Sequence, residues 1–542
     1  MHHRAQKRPR KSPMRPLQAI AIALLILALA NFAVISFYYS KFTWDDAYIT
    51  FRYARNFAEG NGLVYNIGDH VEGYSNFSWL LLLSLSYRLG IDMILAAKVL
   101  ALCSAALTII FMTALTRRYV KNSLLQGAPA FLLLLTYGFA AYTMSGLETV
   151  FFMCLLTAGA YFFAKGHDES PSRVDIASSV IFGIMALTRP EGILFFGFFI
   201  LLKLVLLRRA FFSWRNIGAV ALGVLPFAAY FLFRIFYFGS LVPNSVIAKS
   251  CVGIVPFIFG IVKGIRYTGL FLFSPIMLLI LVPIALGHRR IAREPALLMI
   301  SGFLVLATLA YTVYGGDWMS FFRLYIHLLP LILALGIVCL DSIVPSPSLS
   351  SRPAQNAAFA HSQWLFIIIA LVLLGAATVW NANELFLVQK PSESAASYLV
   401  YEQMGSFIKQ RSRPGDVLVY GGIGSIGYYS DIRIRDILAL VDRHLASLPG
   451  CIASTDFGYG AVLYPQRKFD VDYDFKDNPR FIMIDSLDDV RATGNLTTFE
   501  LNEQLIIKDP RFANYTRVYT LKTGGYLHLF EYDPEKSLVA VN

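Results

Sequence analysis

Two adjacent carboxylates follow the first hydrophobic segment of the chain, in the stretch Trp44-Asp45-Asp46-Ala47-Tyr48. An acid beside a second acid, near a low-dielectric membrane surface, has its pKa pushed upward. A raised pKa suits a carboxylate to act as a general base toward a hydroxyl nucleophile. The pair therefore predicts a catalytic site that removes a proton from an alcohol.

Arginines follow the acids at helical spacing. Asp45, Tyr48, Arg52 and Arg55 recur every three or four residues, so a helix would place acids and arginines on one face. Guanidinium groups bind phosphate through paired hydrogen bonds. Deprotonation of an acceptor hydroxyl beside a departing lipid phosphate is glycosyl transfer. The sequence has no His-Cys metal cluster, nucleophile elbow or Walker loop that would indicate a hydrolase or an ATPase instead.

The composition predicts a polytopic membrane protein, whose helices must position these groups. Of 542 residues, 56% are hydrophobic and 15% charged, and the mean hydropathy is +0.57. The net charge is +12, yet residues 384–542 carry 17 Lys and Arg against 21 Asp and Glu. The positive excess therefore lies in the membrane part, where it follows the positive-inside rule and does not indicate nucleic-acid binding. Five dispersed cysteines indicate neither a disulfide framework nor a metal site.

The basic N-terminal tail and the apolar run 17–38 predict an uncleaved first helix with a cytoplasmic N-terminus. Segment 77–85 is too short to cross and is interpreted as re-entrant, and 252–262 as interfacial. About eleven transmembrane helices then keep nearly every dense basic loop on one side. This predicts a multi-pass protein of the cell inner (cytoplasmic) membrane with its C-terminal part periplasmic or extracellular. The further predicted spans are 94–115, 128–142, 151–163, 176–187, 193–207, 217–236, 267–286, 297–313, 324–340 and 364–379.

This topology places a second set of polar side chains on the same external face. Charged groups in short loops between apolar spans indicate a functional site. The alternatives are local: Arg189 and Pro190 end a helix, and Asp317 pairs with Arg323. The external polar residues are Glu72, Glu148, Arg189, Glu191, Asn244, Lys249, Asp317 and Arg323.

The composition changes at residue 384, which predicts two domains: a membrane domain, 1–383, with a catalytic external loop, 39–76, and a soluble α/β domain, 384–542. Strand-like runs occur at 417–420, 481–484, 516–521 and 526–530. The segment Gly422-Ile423-Gly424-Ser425-Ile426-Gly427 fits a dinucleotide fingerprint. We reject that reading, because the domain is expected outside the cytoplasm and the preceding segment does not begin a clean βαβ unit; a glycine-rich turn is the prediction.

The first external loop resembles that of GT-C fold glycosyltransferases, and is most similar to bacterial arabinofuranosyltransferases that use polyprenyl-phosphate arabinose. The resemblance covers most of the membrane half, whereas in the C-terminal domain it depends on 436–442 alone. Its motifs are Trp44-Asp45-Asp46-Ala47-Tyr48-Ile49-Thr50-Phe51-Arg52-Tyr53-Ala54-Arg55, Glu59-Gly60-Asn61-Gly62-Leu63-Val64-Tyr65-Asn66, Val71-Glu72-Gly73-Tyr74-Ser75-Asn76, Thr188-Arg189-Pro190-Glu191-Gly192, Pro243-Asn244-Ser245 with Lys249, and Gly315-Gly316-Asp317-Trp318 with Arg323.

The resemblance implies an inverting transfer of a sugar, a pentofuranose such as arabinofuranose, from a polyprenyl-phosphate donor to a glycan, lipid or protein of the cell envelope. Asp45 matches the first acid of the family's pair and would be the general base, with Asp46 orienting it or helping to bind the acceptor. No cofactor is required, and a divalent cation is left open. Arg189, Lys249 and Arg323 would bind the donor phosphate, and the sugar or acceptor would contact Arg52, Arg55, Glu72, Tyr74, Glu148, Glu191, Asn244, Asp317 and Trp318.

Two other functions fit a bundle of spans with polar loops. A transporter or flippase of a sugar or lipid-linked sugar is one, although the sequence has no internal repeat of the kind that transporters often show. A non-catalytic scaffold of envelope assembly, with the C-terminal domain as its binding module, is the other. Donor-dependent transfer by the purified protein separates these functions from an enzyme.

Overall fold

A computed structural model describes residues 16–123, 125–250, 254–317, 319–343, 391–450, 468–486, 501–522 and 526–539. The first four ranges are helical. Their helices are α1 (Pro16–Tyr39), α2 (Asp45–Ala58), α3 (Phe77–Arg88), α4 (Met93–Tyr119), α5 (Ala128–Leu134), α6 (Tyr137–Met144), α7 (Thr149–Glu169), α8 (Ile176–Ala186), α9 (Glu191–Leu207), α10 (Trp214–Phe238), α11 (Asn244–Lys249), α12 (Ile254–Leu272), α13 (Pro275–Leu286), α14 (His288–Arg293), α15 (Pro295–Tyr314), α16 (Arg323–Ile326) and α17 (Leu329–Ile343), with a 3-10 helix at Arg208–Phe212.

Within these described ranges, five helices are long and apolar enough to cross a membrane, and a bent pair adds a sixth. The five segments are Ile22–Tyr39, Met93–Tyr119, Thr149–Glu169, Trp214–Phe238 and Pro295–Tyr314. Two shorter apolar helices, α8 and α17, accompany them. The count of eleven spans stays a prediction, and the predicted span 364–379 lies outside the described residues.

Three predicted spans are interrupted. The run 128–142 divides into α5 and α6, 267–286 divides between α12 and α13, which meet at an angle of 82°, and 324–340 divides between α16 and α17. Proline causes the second break: Ser274 is extended, with ψ 146°, and Pro275 begins α13. A residue before proline is driven out of the helical region, so α12 cannot continue through this point. The boundaries predicted from hydropathy are therefore wrong here.

The helix predicted from the spacing of acids and arginines is α2, which begins at Asp45. It returns through a loop, 59–76, in which Gly60 and Gly62 have positive φ. Asn56 donates to the carbonyls of Val64 and Tyr65 and thereby fixes the loop against α2. The next helix, α3, has 12 residues and is shorter than a bilayer core, and its re-entrant placement stays a prediction.

The C-terminal ranges contain a five-stranded sheet of order β2-β1-β3-β5-β4. β1 runs parallel to β2 and β3, whereas β5 is antiparallel to both β3 and β4. The elements in chain order are α18 (Pro391–Arg411), β1 (Val417–Tyr420), α19 (Gly424–Ser430), β2 (Arg433–Asp436), α20 (Arg443–Ser447), α21 (Val471–Asp474), β3 (Phe481–Ser486), α22 (Leu501–Lys508), a 3-10 helix (Pro510–Asn514), β4 (Tyr515–Lys522), β5 (Tyr526–Tyr532) and α23 (Pro534–Val539).

All four predicted strand runs lie in strands, and β2 is an additional one. Because β1, α19 and the parallel β2 follow each other directly, the glycine-rich segment does belong to a βαβ unit. The expectation that no such unit begins before it is therefore wrong. α19 has only seven residues, which makes this crossover unusually short. The carboxyl ends of β1, β2 and β3 meet at one edge of the sheet, where parallel domains place their binding crevices.

Candidate active site

The two adjacent acids at the start of α2 have different surroundings. The Asp45 carboxylate accepts hydrogen bonds from the amide nitrogens of Gly424 and Ser425, at 3.0 and 2.7 Å, and from Ser425 Oγ at 2.6 Å. Asp46 makes no side-chain hydrogen bond to any residue in the described ranges. Consecutive helical residues point about 100° apart, which separates the two carboxylates. Asp45 is therefore engaged by the C-terminal sheet domain, whereas the Asp46 carboxylate stays available.

Asp46 lies among charges from three other segments. Burial raises the pKa of this carboxyl, and Lys249 and Arg323 lower it in part. The charges of Asp45 and Asp317 raise it again. A half-buried acid with a raised pKa that remains close to cations can accept a proton and stand beside an anionic substrate.

The three predicted phosphate ligands, which we call the cation cluster, are Arg189, Lys249 and Arg323. Arg323 Nε lies 2.5 Å from an Asp317 carboxylate oxygen, so the predicted local pairing is present. Lys249, at the end of α11, is exposed and makes no ion pair within the described residues. The cluster therefore includes one cation that is free to meet a new anion.

Arg189 is held from both sides. Its guanidinium contacts Glu148 and Glu191, each at 2.6 Å. Asn76 donates to the other oxygen of Glu148 at 2.9 Å. Arg189 and Arg323 are near enough to repel each other electrostatically. The predicted residues Glu148 and Glu191 thus lie with the cation cluster, as partners of its arginine.

The arginines of α2 contact the C-terminal domain. Arg52 donates to the carbonyls of Gly427 and Ile432 at 2.7 and 2.8 Å, and its guanidinium lies 4.2 Å from the centre of the Tyr65 ring. Arg55 donates to a carboxylate oxygen of Asp431 at 2.6 Å. Only 3% of Arg52 is exposed. Both side chains attach α2 to the C-terminal domain.

Glu72 and Tyr74 belong to a buried network that reaches a spanning helix. Glu72 accepts a hydrogen bond from Tyr230 at 2.6 Å and pairs with Arg234 at 2.8 Å, and the Tyr230 and Tyr74 hydroxyls lie 3.0 Å apart. Burial raises the pKa of Glu72. The sequence prediction missed Arg234 and Tyr230 of α10. A lone arginine within an apolar span was the signal that could have identified them.

Asn244 also contacts the C-terminal domain. Its amide donates to the carbonyls of Ala439 and Leu440, at 2.8 and 3.0 Å, and its backbone nitrogen donates to the carbonyl of Glu72. Beside it is a cavity of about 160 Å³ with Glu72 and Arg443 in its wall. Trp318, the remaining predicted residue, lies outside the described residues.

Comparisons with known proteins give three findings. A family model described as "Domain of unknown function (DUF8728)" matches residues 392–534. A "Terminal beta-(1->2)-arabinofuranosyltransferase" from Mycobacterium tuberculosis is 29% identical over 226 residues, 39% of this chain and 35% of the relative. A protein of the same name from Corynebacterium glutamicum is 28% identical over 255 residues, 43% of this chain and 36% of the relative. The matches thus span about a third of these curated relatives.

Solved structures of ArnT from Cupriavidus metallidurans are also similar. The apo structure aligns with a TM-score of 0.51 at 14% identity, covering 94% of this chain and 98% of that one. The structure "bound to Undecaprenyl phosphate" aligns with a TM-score of 0.48 at 13% identity, covering 95% and 97%. The resemblance to arabinofuranosyltransferases and to the GT-C fold is confirmed, and the chain is a multi-pass membrane protein.

Proposed function

We propose that this protein is a membrane glycosyltransferase that moves a pentofuranose, arabinofuranose, from a polyprenyl phosphate to a hydroxyl of a cell-envelope glycan, lipid or protein. The observation that carries the proposal is the Asp46 carboxylate, which makes no side-chain hydrogen bond to a described residue and is influenced by Lys249 and Arg323. The named arabinofuranosyltransferases support the class of reaction and the sugar.

In this reaction the Asp46 carboxylate takes the proton of the acceptor hydroxyl. The acceptor oxygen then attacks the anomeric carbon from the face opposite the lipid phosphate, the bond from that carbon to the phosphate oxygen breaks, and the configuration inverts. Lys249 and Arg323 stabilise the negative charge that develops on the departing phosphate. Arg189 pairs with both Glu148 and Glu191, so its charge is already balanced, and it holds those two carboxylates in place.

The proposal moves the base from Asp45 to Asp46. Asp45 already accepts three hydrogen bonds, and a base must meet the hydroxyl that it deprotonates. Asp46 meets this requirement without breaking an existing side-chain contact within the described part of the chain. We retain the organisation of a membrane domain, 1–383, and an extracytoplasmic domain, 384–542, with transfer on the external face of the cytoplasmic membrane.

The reaction as proposed uses protein side chains alone. Within the described residues, no group of three or more His, Cys, Asp or Glu is arranged to hold a metal ion. Transfer measured with and without a chelator tests whether a cation bound by the substrate phosphate contributes.

The test is transfer of labelled arabinofuranose from a synthetic polyprenyl phosphate to an arabinan oligosaccharide by the protein in nanodiscs. Asp46→Asn keeps the size of the side chain and removes the base, so we expect kcat to fall by about 10²–10⁴. Asp92→Asn is the matched control, because Asp92 caps α4 by accepting from Leu95 N, which asparagine also does.

Two results would overturn the proposal. One is an Asp46→Asn variant with the transfer rate of the wild type. The other is a wild-type protein that carries labelled lipid across the bilayer without forming a glycosidic product, which would support the transporter alternative.

A further inference from the structure

The C-terminal domain contacts Asp45 through Gly424 and Ser425, the first two residues of α19. They follow a glycine-rich turn, residues 421–423, that joins β1 to α19 at the carboxyl ends of the parallel strands. A Cβ on Gly424 would lie 2.1 Å from the Asp45 carbonyl oxygen and 2.3 Å from its carboxylate oxygen Oδ2. Only glycine permits so close an approach. The crevice where such domains receive a ligand is thus filled by a carboxylate of the same chain.

Ser425 donates two of the three hydrogen bonds that the Asp45 carboxylate accepts. It donates to the same Asp45 oxygen through its backbone nitrogen at 2.7 Å and through Oγ at 2.6 Å. Ser425 is fully buried, so water has little access to its two donors. Hydrogen bonds to a charged acceptor in such a setting fix the position of both partners.

The start of α2 is held by this contact together with the packing of Trp44 on Tyr142 and of Tyr48 on Tyr428 and Tyr429. Trp44, at the N-cap position, provides no side-chain hydrogen bond to the helix. Its backbone nitrogen donates to the Ser145 carbonyl at 3.0 Å, which fixes one side of the turn. Asp45 fixes the other side through Gly424 and Ser425. Asp46 is the next residue, so the direction of its side chain depends on how the backbone at Asp45 is fixed.

We propose that Ser425 is a positioning residue for glycosyl transfer: it holds Asp45, and through Asp45 it directs the Asp46 carboxylate toward Lys249 and Arg323. The inference rests on the proposed function. It makes the C-terminal domain part of the catalytic apparatus, since a residue about 380 positions later in the chain sets the geometry of the base. Ser425 itself touches no substrate in this scheme.

The experiment compares Ser425→Ala with Ser430→Ala in full-length protein in nanodiscs. Ser430 is a matched control: it is buried in the same helix, and its Oγ has no hydrogen-bond partner among the described residues. We expect Ser425→Ala to lower kcat about tenfold and to leave KM for the lipid donor within about twofold, because a positioning contact acts on the transition state. Ser430→Ala keeps both values.

A second pair of variants tests the route of the effect. If Ser425 acts through Asp45, Ser425→Ala causes no further loss in an Asp45→Ala background. The proposal is overturned if the losses in kcat from Ser425→Ala and Asp45→Ala multiply in the double variant. It is also overturned if Ser425→Ala and Ser430→Ala lose the same activity. Ser425→Thr, which keeps the hydroxyl, should recover most of the rate.

Hydrogen exchange separates this inference from the proposed function. In Ser425→Ala, amides 45–48 exchange faster than in the wild type without any substrate present, whereas Ser430→Ala leaves them unchanged. If the wild type is inactive but Ser425→Ala still exchanges faster at these amides, the proposed function is refuted and the contact between Ser425 and Asp45 is supported. Unchanged exchange at 45–48 in Ser425→Ala refutes the positioning role, whatever the activity.

Discussion

Arg52 offers the sharpest test of what the α2 arginines do, because sequence and structure assign it different partners. The resemblance implies contact with sugar, whereas the structure directs Arg52 to the carbonyls of Gly427 and Ile432. In Arg52→Ala these two hydrogen bonds are lost, and both carbonyls stay buried without this donor. We therefore expect the C-terminal domain to separate more readily from α2.

The size of the effect follows from the contacts. Each hydrogen bond from a charged donor contributes about 1.5–3 kcal/mol, so two contribute roughly 3–6 kcal/mol. Because Arg52 is only 3% exposed, solvent screening reduces these values little. At a factor of ten per 1.4 kcal/mol, the equilibrium for local separation shifts by about 10²–10⁴. The position of the guanidinium over the Tyr65 ring adds to this.

The assay is hydrogen exchange of the backbone at 423–434 in nanodiscs. The control is Arg433→Ala, which breaks an ion pair with Asp69 whose two side chains are 49% and 33% exposed. Exposed pairs contribute about 0–1 kcal/mol, so exchange should change little in this control. If Arg52→Ala leaves exchange at 423–434 unchanged and raises KM for the acceptor, Arg52 binds substrate and our assignment fails.

Two further predictions concern the C-terminal domain. Burial raises the pKa of Asp474 to about 8, so the folded protein holds a proton that the unfolded chain releases above about pH 4. Stability therefore falls as pH rises from about 4 to 8, by at most about 1.4 kcal/mol per pH unit for one proton. In Asp474→Asn the unfolding midpoint should lose this dependence, and an unchanged slope contradicts the assignment. Gly427→Ala places a Cβ 1.8 Å from Tyr65 Oη and should speed exchange at 423–434, whereas Gly197→Ala, with open space around it, should not. Tyr65→Phe should partly restore Gly427→Ala, and equal exchange in both glycine variants would refute this packing.

The sequence predicted the local elements well where a regular pattern was present. The spacing from Asp45 to Arg55 predicted α2, and short strand-like runs predicted four strands. β2 was missed because Arg433-Ile434-Arg435-Asp436 is short and mostly polar. Pairing with β1 supplies the stabilisation that its composition does not.

Contacts between distant segments could not be predicted in the same way. Helical spacing shows that Arg52 and Arg55 share a face, yet it does not show whether a substrate or another domain covers that face. The same holds for Asp45 and Asp46, which are chemically identical and adjacent. Their neighbours in space distinguish them: Gly424 and Ser425 donate to Asp45, whereas Lys249 and Arg323 act on Asp46. The glycine motif 422–427 likewise fits a phosphate turn until Asp45 and Tyr65 are seen to fill it.

The contact between α2, its loop and the C-terminal domain is directed largely at main-chain atoms. Arg52, Tyr65, Asn66 and Asn244 all donate to backbone carbonyls of residues 423–442. Main-chain atoms are common to every amino acid, so side chains elsewhere in that domain can change without loss of this attachment. The domain is therefore modular. An engineered domain that keeps the backbone of 421–442 could present a new outer surface while leaving the positions of Asp45 and Asp46 unchanged.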